Sequence, residues 1–246
     1  MDLTSRVVLI VGGARMGADL ASAVAERGAD VVLGYRQSRR AADAAAAAVR
    51  ARGRRALVTV VDVTNPESVD ALGPQIERTF GRLDVAVQMA SVYRAVPLEA
   101  IDAREWHAQI DVDLSGSFLV ARAAIPLMRR TGGGRIVLFS DWLPASGRPR
   151  YREYLPYYVA KAGVKALAEA LALELAPDNI LVNAIAPGPI LAPDATSDEE
   201  RAKVVRATPL GRWGGVEAIT QAVLALIESD FMTGETVRVD GGRHLQ

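Results

Sequence analysis

A tyrosine and a lysine one helical turn apart are the side chains in this sequence best suited to acid–base chemistry. Tyr157 and Lys161 stand at positions i and i+4 in the run YYVAK, which places both on one face of a helix. An ammonium beside a phenol favours the phenolate, so we expect Lys161 to lower the pKa of Tyr157 below about 10. Such a tyrosine can protonate a carbonyl oxygen as a hydride arrives, or remove the proton in the reverse direction.

A glycine-rich turn near the N-terminus predicts a dinucleotide site. A dinucleotide site in the same domain supports a catalytic role for the tyrosine–lysine pair. The sequence GGARMG, residues 12–17, follows an apolar run and opens a helix-like segment. Glycines there permit a tight turn, and the free N–H groups of a helix N-terminus can bind a pyrophosphate. The candidate cofactor residues in the turn are Gly12, Arg15, Met16 and Gly17. A glycine-rich turn without a ligand is the alternative.

The end of the second predicted strand indicates which dinucleotide is bound. A site for NAD places an acidic residue about 20 residues past the glycines. This chain has Tyr35 and Arg36 there, followed by Ser38. A carboxylate would repel a 2′-phosphate, whereas Arg36, Ser38 and Arg15 can bind one through charge-assisted hydrogen bonds. We therefore predict NADPH (NADP+) as the cofactor.

Two residues after the third predicted strand are candidates for contact with the adenine. Asp62 and Val63 directly follow the apolar run 56–61. A capping role explains Asp62 equally well. Spacing alone does not choose between these roles.

The elements that must position these residues alternate between strands and helices. Apolar runs predict strands at 6–11, 30–33, 56–61, 83–87, 135–139, 180–185 and 236–239. Helices are predicted at 18–27, 38–52, 66–80, 103–130, 156–176, 198–207 and 216–229. Right-handed crossovers then build one α/β domain over residues 1–246, a doubly wound (Rossmann-type) parallel sheet of about seven strands with helices on both faces. The irregular stretches 91–98, 141–155 and 187–197 follow strands, where ligands bind in such sheets.

Composition limits the class of protein. The 246 residues are 50% hydrophobic and carry 29 basic and 29 acidic side chains, so no overall attraction to nucleic acid or a membrane follows. The lack of cysteine excludes disulfides and thiolate chemistry and fits a reducing cytosol, so we expect a soluble cytoplasmic protein. His107 and His244 lie far apart without metal-ligand spacing, and no metal site is predicted.

Taken together, these motifs resemble those of the short-chain dehydrogenase/reductase family, from about Arg6 to the C-terminus. The resemblance is carried by the turn 12–17, Asp62-Val63, Tyr157 and Lys161, Asn183 with Pro187-Gly188, Thr233-Gly234-Glu235 and Val239-Asp240-Gly241-Gly242. It implies hydride transfer through NAD(P) to or from a small molecule, usually in a homotetramer or dimer. It also implies that Tyr157 is the proton donor and that Lys161 holds the nicotinamide ribose. The residues that would line the nicotinamide are Pro187, Gly188 and Ile190.

The sequence departs from the family pattern at four places. The glycine turn has Val11 in place of the usual threonine and is one residue short. The usual Asn-Asn-Ala-Gly after the fourth strand is QMAS at 88–91, in which Ala90 remains a candidate cofactor contact. Asp113 stands at the position of the active-site asparagine, where it can accept from a water linked to Lys161. Asp141 stands at the position of the catalytic serine.

Asp141 favours a substrate other than a simple ketone. An ionised carboxylate can only accept hydrogen bonds, so it would oppose a carbonyl oxygen that gains negative charge. The pteridine reductase subgroup carries an aspartate here, and resemblance to it implies that an Asp/Tyr pair protonates a ring nitrogen while hydride adds to C=N. Tyr93 then matches the aromatic residue that stacks on the pterin, and Trp142 is a further candidate substrate contact. A turn residue is the other interpretation of Asp141.

The sequence therefore predicts an NADPH-dependent reductase acting on a C=N or C=O of a planar, pterin-like substrate. Tyr157 donates the proton, and Lys161 tunes the pKa of Tyr157. Asp141 assists proton delivery, and Asp113 completes the proton relay. A carbonyl or 3-oxoacyl-carrier-protein reductase is the alternative enzyme. A non-catalytic dinucleotide-binding or scaffold protein is the alternative from another class. The insertion-like segment 148–154 is a candidate loop for closing over the substrate.

Overall fold

Seven parallel strands form the centre of the computed structural model, which describes residues 1–147, 149–193 and 196–246. The strand order is β3-β2-β1-β4-β5-β6-β7, and each neighbouring pair is parallel. The strands are β1 (Val7–Gly12), β2 (Asp30–Tyr35), β3 (Ala56–Val60), β4 (Val85–Met89), β5 (Gly134–Phe139), β6 (Ile180–Pro187) and β7 (Thr236–Val239). The predicted doubly wound sheet is confirmed.

Helices cover both faces of this sheet. They are α1 (Gly17–Glu26), α2 (Arg39–Ala51), α3 (Pro66–Asp70), α4 (Leu72–Phe80), α5 (Ala103–Ile110), α6 (Gly116–Arg130), α7 (Trp142–Ala145), α8 (Leu155–Leu175), α9 (Asp198–Arg206) and α10 (Gly215–Glu228). The helix predicted at 66–80 divides at Ala71, and the one predicted at 103–130 contains a π-helical turn, Asp111–Ser115. Helix α7 lies in a stretch predicted as irregular. Arg148 of the insertion-like segment and residues 194–195 of the predicted irregular stretch lie outside the described residues.

The strand β1 shows why the core specifies this layered arrangement. Its side chains alternate between two apolar clusters, with Leu9 packed on the side of α4, α6 and α8 and Ile10 on the side of α1, α2 and α10. Both side chains are at most 1% exposed. A strand covered on both faces needs apolar residues at every position, which explains the uninterrupted run VVLIV at 7–11.

The strand order reverses between β1 and β4, and this reversal locates the crevice for a ligand. The crossovers from the two strands run in opposite directions away from this point, so the loops at their carboxyl ends separate and leave an opening. At the opposite edge, the buried carboxylate of Asp84 fixes the two strands together. It accepts from the backbone N–H of Val7 at 2.9 Å and from Arg6 and Arg82 at 3.1 and 2.7 Å.

Replacing Asp84 with alanine tests this anchor. The substitution leaves the Val7 N–H and two half-buried guanidinium groups without their partner, so we expect Asp84→Ala to lower the free energy of unfolding by about 3 kcal/mol. The control is Asp70→Ala, which removes an exposed ion pair with Arg122 and should cost less than about 1 kcal/mol. Urea unfolding followed by circular dichroism measures both, and similar losses would contradict the anchoring role.

Candidate active site

The carboxyl ends of β1, β4, β5 and β6 open onto one cleft of about 950 Å3. Most of the site residues predicted from the sequence line it. These are Gly12, Arg15, Met16, Arg36, Ser38, Val63, Ala90, Tyr93, Asp141, Trp142, Tyr157, Lys161, Pro187, Gly188 and Ile190. Four predicted residues, Gly17, Tyr35, Asp62 and Asp113, do not line this cleft. The structure shows a different role for each of these four residues.

The glycine turn is compatible with an anion site, but its glycines are required by backbone conformation and by packing rather than by contact with a ligand. Gly12 and Gly13 have φ of +78° and +73°, which disfavours other residues. A Cβ on Gly12 would lie 2.6 Å from the Cα of Ala90, so the absent side chain makes room for the chain after β4 rather than for a ligand. Gly17 allows α1 to pack closely on β1. No described side chain caps the N-terminus of α1. The N–H of Gly17 donates to the carbonyl of Gly13, and the N–H groups of Ala18 and Asp19 remain available to a pyrophosphate.

At the adenosine end of the cleft, two predicted contacts form hydrogen bonds within the protein. The carboxylate of Asp62 accepts from the N–H and hydroxyl of Thr64 at 3.0 and 2.7 Å. These bonds favour the capping role, which was the alternative to contact with adenine. The hydroxyl of Tyr35 accepts from Arg39 at 3.2 Å, on the side of α2. Arg36 remains half exposed at the cleft, 3.8 Å from Asp62. The group that faces a ligand here is therefore cationic.

Tyr157 and Asp141 form a direct pair at the other end of the cleft. The phenol of Tyr157 donates to Oδ2 of Asp141 at 3.0 Å, and the ring is only 7% exposed. The second carboxylate oxygen of Asp141 accepts from the N–H of Leu143 at 2.8 Å and caps α7. Asp141 is thus both a turn residue and a partner of the tyrosine.

Lys161 is held by a second carboxylate. Its Nζ lies 2.8 Å from Oδ1 of Asp113 and donates to the carbonyl of Phe139 at 2.7 Å, and both charged groups are almost fully buried. Asp113 lies in the π-helical turn, a feature that often occurs at functional sites. It also accepts from the hydroxyl of Ser91 and, at 3.2 Å, from the N–H of Val92. The expected link through water between Asp113 and Lys161 is replaced by a direct ion pair.

The expectation that Lys161 lowers the pKa of Tyr157 is wrong. Burial raises the pKa of Tyr157 well above its ordinary value of 10, and the negative charges of Asp141 and Asp113 raise it further. The ammonium of Lys161 is compensated by Asp113 and lies 5.7 Å from the centre of the phenol ring. Burial also raises the pKa of Asp141, against the opposing effects of its hydrogen bonds and of Lys161. The phenol form of Tyr157 and the neutral acid form of Asp141 are therefore favoured in this site.

An aromatic cluster beside Tyr157 comprises the predicted substrate contacts Tyr93 and Trp142 and two tyrosines that sequence reasoning missed, Tyr151 and Tyr154. Tyr93 and Tyr154 stack with ring centres 4.6 Å apart, and Tyr93 meets Tyr157 edge to face at 4.9 Å. Tyr151 packs against Trp142 at 6.4 Å. The available signal was a tyrosine at every third position, 151, 154 and 157, directly before and at the start of α8. This cluster suits a planar or apolar substrate.

Two further contacts shape the cleft. The N–H of Val96 donates to the carbonyl of Glu153 at 2.7 Å and joins the loop after β4 to the loop before α8. Arg15 donates from Nη2 to the carbonyl of Ala192 at 2.8 Å, which connects the glycine turn to the loop after β6. Trp213 and Arg243 also line the cleft, and no sequence motif indicated them.

Within 1–147, 149–193 and 196–246, the His, Asp and Glu side chains form no group of three that could hold a metal ion. No helix of those same segments is both long and apolar enough to span a membrane. His244 is instead paired with Asp240, at 2.7 Å, while His107 lies exposed near Asp111.

With this geometry in place, comparison with known proteins defines the class. A family profile described as "Enoyl-(Acyl carrier protein) reductase" matches residues 13–244. The chain therefore belongs to this family of short-chain dehydrogenases/reductases and is an oxidoreductase.

Individual relatives match along nearly the whole chain. A 3-oxoacyl-[acyl-carrier-protein] reductase of Synechocystis is 35% identical over 98% of this chain and 97% of its own length. The (2S)-[(R)-hydroxy(phenyl)methyl]succinyl-CoA dehydrogenase subunit BbsD of Thauera aromatica is also 35% identical, over 100% and 99%. The crystal structure of acetoin dehydrogenase from Enterobacter cloacae superposes with a TM-score of 0.88 at 33% identity, over 98% and 96% of the chains. These relatives favour the carbonyl or 3-oxoacyl alternative over the pterin-like prediction.

The raised pKa of Asp141 predicts how stability changes when its charge is removed. Because its pKa is raised above the ordinary 3.8, the folded state binds this proton more tightly than the unfolded state, so stability falls as the pH rises from 3.8 through the folded pKa. Asp141→Asn keeps the cap and an acceptor for Tyr157 but has no charge. We expect its stability relative to the wild type to increase between pH 4 and pH 7.

Urea unfolding of both proteins across this pH range provides the measurement. The exposed variant Asp70→Asn reports the change that accompanies loss of a carboxylate in solvent. A relative stability of Asp141→Asn that decreases with pH would show that the ionised carboxylate is the form favoured by the fold.

Proposed function

We propose that this protein is an NADPH-dependent reductase of carbonyl compounds, with 3-oxoacyl thioesters as its principal substrate class. The observation that carries the proposal is the protonated phenol of Tyr157, paired with Asp141 and facing a cleft that continues to the glycine turn. The named activity of the Synechocystis relative supports the 3-oxoacyl group. The phenyl-bearing thioester in the name of the Thauera relative fits the aromatic cluster beside Tyr157.

The residues along the cleft fit a phosphorylated dinucleotide. The uncapped N-terminus of α1 is suited to the pyrophosphate, and Arg36 with Ser38 to a 2′-phosphate. An ammonium has three N–H groups, and two of those of Lys161 are directed to Phe139 and Asp113, which leaves one for the nicotinamide ribose. When bound, NADPH supplies the hydride.

The role of the chain is to place a proton at the carbonyl oxygen. A substrate carbonyl that enters beside Tyr157 accepts a hydrogen bond from its Oη, and this proton moves to the oxygen as negative charge develops there. Asp141 in its neutral form donates to the same oxygen, as the serine of the family would.

A pterin-like substrate is the second candidate, and two observations favour it. Asp141 directly contacts Tyr157, which suits proton delivery to a ring nitrogen. Tyr93 is 55% exposed, so a face of its ring is open to stack on a planar heterocycle next to Tyr157.

We further propose that the protein acts in the cytoplasm as a homodimer or homotetramer. The exposed apolar side chains of Phe231 and Leu173, 97% and 80% accessible, support self-association. The lack of cysteine is compatible with a reducing compartment. Sedimentation velocity distinguishes these assemblies from a monomer, which would contradict the proposal.

Replacing Tyr157 with phenylalanine tests the proton donor. We expect Tyr157→Phe to lower kcat at least 100-fold, because general acid catalysis contributes about 10²–10⁴-fold, while NADPH affinity changes little. NADPH absorbance with acetoacetyl-CoA measures turnover, and fluorescence titration measures binding. Tyr158→Phe, next in the helix and outside the cleft, is the control that should retain activity. Normal turnover of Tyr157→Phe would exclude Tyr157 as the donor.

Replacing Arg36 tests the choice of cofactor. A charge-assisted hydrogen bond contributes about 1.5–3 kcal/mol, so Arg36→Ala should raise the Kd for NADPH roughly 10- to 100-fold and leave that for NADH unchanged. The exposed Arg40→Ala is the matched control. Equal weakening for both dinucleotides would place Arg36 outside the 2′-phosphate site.

Replacing Asp141 with serine separates the two substrate candidates. For a 3-oxoacyl reductase, Asp141→Ser should maintain reduction of acetoacetyl-CoA and remove the decline with rising pH that ionisation of Asp141 causes in the wild type. For a pterin reductase, the same change should abolish reduction of dihydropterin. The assay is NADPH consumption with both substrates from pH 5 to pH 9. An unchanged substrate preference and pH profile would show that Asp141 acts only as a turn residue and not in catalysis.

A further inference from the structure

We propose that the cleft has an oxyanion-binding subsite at Arg243, which packs on Trp142 together with Arg150, and that the substrate therefore bears an acidic group. This inference deepens the proposed function and rests on it. The subsite is called the outer subsite below. It would take a carboxylate or phosphate located away from the carbonyl that is reduced.

The geometry of the outer subsite is set by one indole ring. The guanidinium carbon of Arg150 lies 5.3 Å from the ring centre of Trp142, and that of Arg243 lies 5.8 Å from it. The indole itself is only 6% exposed, and it directly follows Asp141 in the chain. Stacking of this kind restrains a guanidinium while leaving its N–H edge free for another partner.

The charge of this pair is not compensated within the described residues. Neither Arg150 nor Arg243 forms an ion pair there, in contrast to Arg27, Arg122 and Arg129, each of which has a carboxylate within 2.8 Å.

The acidic residue nearest to Arg243 in sequence, Asp240, does not supply the missing negative charge. The carboxylate of Asp240 accepts from the N–H of Gly242 at 3.0 Å and from the N–H and ring of His244 at 3.0 and 2.7 Å. Arg150 donates one N–H to the carbonyl of His244 at 3.1 Å, and its buried Nε has no hydrogen-bond partner. The guanidinium of Arg243 lines the cleft and has no carboxylate partner among the described residues, which indicates an anionic ligand.

The location of the outer subsite ties this anion to the substrate. Arg243 and Trp142 line the same cleft as Tyr157, and Tyr151 and Tyr154 lie along the path between them. A substrate with its carbonyl at Tyr157 would place an aryl or acyl segment against these rings and an acidic group at Arg243. A guanidinium binds either a carboxylate or a phosphate through two parallel hydrogen bonds. The class is thus an oxo compound with an oxyanion on the substrate or on its thioester carrier.

The experiment compares substrates that differ only in charge. One set is a series of aryl ketones with a para-carboxylate on a spacer of zero to three methylene groups, each paired with its methyl ester. The other is acetoacetyl-CoA paired with acetoacetyl-N-acetylcysteamine, which has no phosphate. We expect kcat/KM to favour the anionic member of at least one set by 10-fold or more. Arg243→Met should remove this preference by lowering kcat/KM for the anionic member at least 10-fold more than for the neutral member.

The control variant is Arg238→Met, which removes an exposed arginine that donates to the carbonyl of Ala145 in α7 at 2.8 Å but does not line the cleft. A preference within the ketone set identifies a carboxylate on the substrate, and one confined to the thioesters identifies the phosphates of the carrier. Either result supports the outer subsite if Arg243→Met abolishes it and Arg238→Met does not. Equal rates for charged and neutral members, or equal effects of the two variants, would overturn the inference.

A binding measurement keeps this inference separate from the proposed function. If no carbonyl compound is reduced, the proposed function fails, and quenching of tryptophan fluorescence by 3-nitrobenzoate and by its methyl ester then tests the outer subsite alone. We expect the acid to bind at least 10-fold more tightly than the ester, and Arg243→Met to remove the difference. Equal binding of acid and ester by the wild-type protein would contradict the outer subsite.

Discussion

A buried ion pair between Lys161 and Asp113 lies at the centre of the candidate active site, and burial there favours the protonated forms of the neighbouring groups. One ammonium lies among two carboxylates, Asp113 and Asp141, and a phenol, Tyr157, all largely removed from water. Because Lys161 is compensated by Asp113, little positive charge is left to stabilise ions at Asp141 or Tyr157. Burial then raises both pKa values, which favours the protonated form of each group. Asp141 can thus occupy the position at which the family usually has a serine hydroxyl as hydrogen-bond donor.

The same ion pair connects the catalytic centre to the substrate side of the cleft. Asp113 binds Ser91 and the N–H of Val92, and it thereby fixes the loop that carries Tyr93 against Tyr157. The π-helical turn after α5 supplies this carboxylate, and the end of β5 supplies the carbonyl of Phe139 that holds Lys161. Proton donor, cation and aromatic cluster are consequently held by hydrogen bonds between neighbouring strand ends.

The fold could be predicted from the sequence because its strands are buried on both faces and therefore read as continuous apolar runs. The π-helical turn at 111–115 and the four-residue helix α7 escaped prediction, since neither changes the apolar periodicity. The pKa of Tyr157 was misjudged because spacing shows Lys161 but not the burial of the phenol, and because the family resemblance implied a water rather than a direct contact between Lys161 and Asp113. Trp142 was predicted, whereas Arg243 was not, because it approaches from the other end of the chain.

The protonation of Tyr157 across the pH range tests the central claim most directly. With tyrosine labelled at the ring carbon that bears the hydroxyl, carbon-13 NMR distinguishes phenol from phenolate, and the spectrum of Tyr157→Phe assigns the resonance. The account predicts that Tyr157 remains a phenol at pH 10, where an ordinary tyrosine is half ionised, and that Asp113→Asn moves its titration to lower pH. Ionisation of Tyr157 below pH 9 in the wild-type protein would contradict it.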